Sequence, residues 1–97
     1  MLGGVVEVLP QNTDLNNLKT RGKKYISPSG AYSSTMSNLP TSQAVTAGFE
    51  LMYFSGYSNT YGCQLFFNHQ GTYVRYQNLD NGSNFSEWKM FVVESVS

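Results

Sequence analysis

Glu7, Asp14, Glu50, Asp80, Glu87 and Glu94 are the only acids in a chain of 97 residues. Cleaving a glycosidic bond takes two carboxylates facing one cleft, about 5–10 Å apart. Glu50 and Glu87 alone sit within the aromatic-rich strand-like segments of the second half, so they are the pair to nominate. His69 stands in a turn, Asn68-His69-Gln70-Gly71, and is the single histidine. Cys63 is the single cysteine, which excludes a disulfide within the chain and reads as a small buried hydrophobe. One histidine and one cysteine do not make a zinc site. Serines are plentiful, but no nucleophile elbow presents one. Asp80-Asn81-Gly82-Ser83-Asn84 resembles the start of a calcium loop, yet Phe91 stands where the closing acid belongs, so a hairpin turn is the better reading. The chain reads as a non-enzyme without metal or cofactor.

The side chains suit binding instead. Charged residues make up 12% and the formal net charge is +0, which provides no electrostatic steering. Nucleic acid is not an expected partner, because a phosphate backbone calls for clustered Lys and Arg. Lys19, Arg21, Lys23 and Lys24 do cluster, and read as a solvated loop and strand start. No apolar run reaches the ~20 residues that span a bilayer, so membrane insertion is not expected. No charged segment followed by an apolar run opens the chain, so no signal peptide is expected. The neutral polar surface suits sugar hydroxyls, peptide or another copy of the chain. Tyr, Ser, Gly and Asn are adaptable contact residues. The segment Ser55–Tyr61, with Tyr57, Asn59 and Tyr61, is the preferred contact loop. Tyr32 and the turn around Asn81 come next. Arg75, mid-strand among tyrosines, either stacks on Tyr73, Tyr76 or a neighbouring ring, or pairs across strands with Glu87 or Glu50. Trp88 reads as a core anchor.

The elements that must position these residues are mostly strands. Val5 to Leu9 is a short apolar run stopped by Pro10 and reads as a strand or arm. Asp14 to Leu18 reads as one helical turn capped by Thr13 or Asp14, with Leu15 and Leu18 pointing the same way. Lys23 to Ser27 reads as a strand. Residues 28–47 show little periodicity, with Leu39 tucked in beside Pro40. Phe49 to Phe54, Tyr61 to Phe67, Thr72 to Gln77 and Glu87 to Val93 are aromatic and branched, with turn residues between them. That spacing predicts an antiparallel meander, and no helix-length pattern argues for a parallel sheet. A sheet with one wet face alternates apolar with polar. Here Phe49, Leu51 and Tyr53 oppose Glu50, Met52 and Phe54, while Cys63, Leu65 and Phe67 oppose Gly62, Gln64 and Phe66. Both sides carry apolar groups, so either the chain covers both faces or other subunits cover one.

Several blocks together resemble the pyocin-knob domains of bacteriophage, prophage and R-type pyocin tail fibres. Asp14-Leu15-Asn16-Asn17-Leu18-Lys19-Thr20, Gly22 and Tyr25-Ile26-Ser27 match the family's opening. Asn38-Leu39-Pro40, Gly48-Phe49-Glu50-Leu51, Gln64-Leu65-Phe66 with Tyr73-Val74-Arg75-Tyr76, and Phe85-Ser86-Glu87-Trp88-Lys89 follow in the family's order. Arg21 replaces a common proline, and Phe85 a common tryptophan. The resemblance covers roughly residues 12–92. It implies a small, mostly β knob, an antiparallel sheet or sandwich with one short helical turn near the N-terminus, forming a homotrimer at a fibre tip on the virion. Residues 1–11 are then an arm or linker from a larger fibre protein, and 12–97 the knob. The implied partners are the chain itself and a host cell-surface polysaccharide or teichoic-acid-type glycan. A domain that only trimerises and caps a fibre is the other reading.

Overall fold

The computed structural model describes residues 6–41, 46–55, 61–77 and 85–91. Their strands are β1 (Val6–Val8), β2 (Lys24–Ser27), β3 (Phe49–Ser55), β4 (Gly62–Asn68), β5 (Gly71–Tyr76) and β6 (Lys89–Met90). They form one six-stranded sheet in chain order, β1 to β6. The mostly β fold and the meander expected of the second half are present, since β2 to β6 pair antiparallel throughout. β1 pairs parallel to β2, which the sequence reading did not anticipate. Residues 9–23 make this possible: they cross over one face of the sheet, long enough to return the chain to the same direction. Residues 6–8, within the stretch read as an arm, thus lie at the sheet edge.

That crossover holds the 3₁₀ turn Leu15–Asn17, where Asp14 caps the turn by accepting from the Asn16 amide at 2.9 Å. A second helical turn, α1 (Gly30–Ser33), lies in the Ser-rich stretch, ahead of Asn38-Leu39-Pro40, around which short pieces are expected from the sequence. Ser29 caps it, and the Ser33 hydroxyl ties it to Ala47 O at 2.8 Å. Leu9, Leu15, Leu18 and Met36 from this N-terminal half pack on Tyr25, Phe49, Leu51, Phe66 and Tyr73 of the sheet. Phe49 stacks on Phe66 at 4.4 Å between ring centroids, and Tyr73 and Trp88 meet Phe66 edge-on at 5.9 and 5.8 Å. Tyr25 buries its ring and its hydroxyl accepts from the Thr20 amide at 3.2 Å.

The two faces differ in a way the alternation alone did not disclose. In β4 the buried residues are Gly62, Gln64 and Phe66, and the more apolar set, Cys63, Leu65 and Phe67, is the half-buried outer one. Cys63 is therefore not the small core residue that was expected. Register continues this outer face across the sheet, with Ile26, Met52, Leu65 and Val74 half-buried and Val6, Val8, Phe54 and Tyr76 exposed. No described element packs over it. An ion pair between Lys24 and Glu50 lies on the same face, and Lys23 pairs with Glu7 on the other.

At one end of the core, the Tyr53 hydroxyl and the Gly62 amide both donate to Gln77 Oε1. A Cβ at Gly62 would lie 2.2 Å from the Tyr53 ring, so only glycine fits under it. Burial holds the Tyr53 phenol above its ordinary value, so the unfolded chain loses this proton first. The stability this contributes is full below about pH 10 and is lost as pH rises through the folded value. Tyr53→Phe is expected to flatten the alkaline fall in the urea midpoint between about pH 9 and pH 12.

Candidate functional site

The crossover segment, the Asn38–Pro40 turn, β5 and the approach to β6 enclose a cleft of about 660 Å³ beside the core, within the range of small-ligand sites. At its base lies Arg75, only 5% exposed. β5 aims it to the covered side of the sheet, where its cross-strand partner is Gln64. Arg75 Nε donates to Gln64 Oε1 at 2.8 Å. The Gln64 amide nitrogen donates in turn to Leu15 O at 2.6 Å, which also accepts the Leu18 amide at 3.2 Å, and to Leu18 O at 3.1 Å, the carbonyl that ends the 3₁₀ turn. Only this orientation of the Gln64 amide satisfies all three partners, because two carbonyls need a donor and the guanidinium an acceptor.

The guanidinium lies between two rings, 4.2 Å from the Phe85 centroid and 4.5 Å from that of Trp88. The π faces take up part of its charge. Burial draws its pKa down to about 10, with Asp14 opposing the fall, so Arg75 stays charged at neutral pH. Trp88 Nε1 donates to Asn38 O at 2.9 Å, and Asn38 Nδ2 to Asp14 Oδ1 at 2.6 Å. Asn38 takes φ of 65°, a left-handed conformation that asparagine tolerates and that turns its carbonyl to the indole. Hydrogen bonds link the 3₁₀ turn through Gln64 to Arg75, and Trp88 through Asn38 to Asp14, and the stacking of Arg75 on Trp88 joins the two runs. Two buried polar atoms on the cleft residues have no hydrogen-bond partner: Arg75 Nη2, a donor, and Asn16 Oδ1, an acceptor. Glu87 and Ser86 line the mouth, and Leu39 and Pro40 supply an apolar wall.

The residues singled out in the sequence do not share one place. Arg75 is central to the cleft and stacks on neighbouring rings; Glu50 is engaged by Lys24 on the opposite face. Tyr32 is half-buried against the core from α1. Tyr61 is 57% exposed, beside Phe54, Cys63 and Tyr76 at the edge of the outer face. Tyr57, Asn59 and Asn81 lie outside the described residues. Asn16, Asn38, Gln64 and Phe85 carry no individual signal in the sequence, and Trp88 reads there as a core anchor rather than a sugar platform. It packs on Phe66 and also walls the cleft. Their common signal is that each belongs to one of the blocks that carry the family resemblance, and these blocks meet at the cleft.

The architecture is a pyocin-fibre-like β fold. It is similar to the P. aeruginosa R1 pyocin fibre, solved as C-terminal residues 323–701, at a TM-score of 0.72 and 15% sequence identity. The similarity covers 91% of this chain and 21% of the length of that one. No protein-family model and no curated protein sequence matches the chain.

Proposed function

We propose that this chain is a receptor-binding domain of a phage or phage-like tail fibre, and that it engages host cell-surface glycans through the Arg75 cleft. The observation that carries the reading is the buried Arg75 guanidinium between Phe85 and Trp88, with unpartnered Nη2 beside a roomy, polar opening. A buried donor without a partner is destabilising, so keeping one in a cleft favours a ligand that completes it. The fibre setting is supported by the likeness in fold to the R1 pyocin fibre. The domain acts by binding, within a homotrimer at the fibre tip of the virion, and not as an enzyme.

A second reading has its own observation. The outer sheet face, from Val6 and Val8 to Leu65 and Val74, is a broad apolar surface of the sort that subunits bury. A purely structural capping domain would use that face alone. The two readings separate at Asn16, whose side-chain oxygen makes no internal hydrogen bond. Asn16→Ala should leave folding almost unchanged and weaken binding to a bacterial glycan array, or to host envelopes, by about tenfold, or ~1.4 kcal/mol. Binding at full strength by the variant would remove the cleft from the function. Absence of binding by the wild-type trimer would leave the capping role.

A further inference from the structure

We infer that the Arg75 cleft selects a neutral, hydroxyl-bearing sugar unit over a carboxylate or phosphate group. The inference rests on the reading of this cleft as a glycan site and narrows the class of ligand. The first argument is the pairing of unsatisfied atoms. Arg75 Nη2 offers a proton and Asn16 Oδ1 requires one. A hydroxyl both accepts and donates, so a sugar carries both kinds of partner that these atoms lack. An ionised carboxylate or phosphodiester only accepts, and would leave Asn16 Oδ1 buried and unanswered.

The second argument is electrostatic. A lone buried arginine would ordinarily invite an anion. Here the guanidinium already lies against the faces of Phe85 and Trp88, and Asp14 acts on it through space. Glu87 at the mouth adds a second carboxylate. An incoming anion meets these like charges, and Asp14, half-buried, is the less screened of the two. A neutral ring meets no such opposition, and its C–H groups can lie along Leu39 and Pro40.

Trp88 is the only tryptophan, so its indole N–H gives a single, unambiguous reporter in the ¹⁵N spectrum of the intact chain. The probes are methyl glycosides of glucose, galactose and mannose on one side, and sodium glucuronate and glycerol phosphate on the other. The expected result is a saturable shift of the indole signal with at least one neutral glycoside, independent of sodium chloride and needing about tenfold more glycoside in Asn16→Ala. A shift with glucuronate or glycerol phosphate alone, fading with salt, would overturn the inference in favour of an anionic ligand. Silence from every probe would overturn it as well. Cell or array binding that persists in that case would preserve the receptor-binding reading with its site elsewhere.

Discussion

Gln64→Ala is expected to lower the unfolding free energy by about 3–5 kcal/mol, seen as a fall in the urea midpoint at unchanged slope. The change leaves two carbonyls of the 3₁₀ turn, Leu15 O and Leu18 O, without the donor they share, and takes the acceptor from Arg75 Nε. A buried guanidinium stripped of its polar partner is costly, because the charge stays in a poor solvent. A cavity is added, since Gln64 is fully buried. Against a total of about 5–15 kcal/mol for a small domain, the loss is large. Gln64→Glu separates geometry from charge: it keeps the acceptor for Arg75 but presents oxygen to the two carbonyls. It should be destabilised at neutral pH and recover as acid restores a donor. A midpoint within experimental error of wild type for Gln64→Ala would mean that the hydrogen bonds from Gln64 do not hold the crossover segment to the sheet.

Leu65→Asp is expected to act in the opposite manner, sparing the fold and abolishing self-association. Leu65 lies at the middle of the outer face, in register with Met52 and Val74. Being half-buried in the single chain, it gives up only about 1 kcal/mol or so of strand preference and packing there. In an assembly that buries this face, an unpaired carboxylate would sit among apolar groups and cost several kcal/mol. Sedimentation equilibrium should give a trimer for the wild type and a monomer for Leu65→Asp, with matching circular dichroism. A wild-type monomer would end the account of the outer face as an interface between copies.

The strands of the second half were legible because aromatic and branched residues alternate with turn residues there, and the register follows from short connections. Which face forms the core was not legible. Gln64, Arg75 and Gln77 look like surface residues, yet all three are buried, since each finds its partner across a strand or in the crossover. Leu65 and Val74 look like core residues and face outward. Local alternation cannot rank two half-apolar faces; the docking of residues 9–41 decides the matter, and that is a long-range event. The parallel placement of β1 has the same origin. Arg75 was recognisable as a stacking residue, but not its rings, because Phe85 and Trp88 reach it from beyond the next turn. α1 was missed because four residues carry no period; only Ser29 ahead of Gly30 marks it.

The span of the Gln64 hydrogen bonds has a consequence for how the molecule comes together. β3, β4 and β5 join neighbours in sequence, whereas Gln64 reaches back 49 residues to Leu15 and 46 to Leu18. Contacts of such separation close late, after the hairpins that need little loop closure. The meander is thus expected to assemble first, with the crossover landing on a finished surface. The cleft exists only once this last piece has landed, so its walls belong to the part of the molecule that opens most readily. Amides of Leu15 to Leu18 should exchange with solvent faster than those of β4, and an occupant should slow them by mass action.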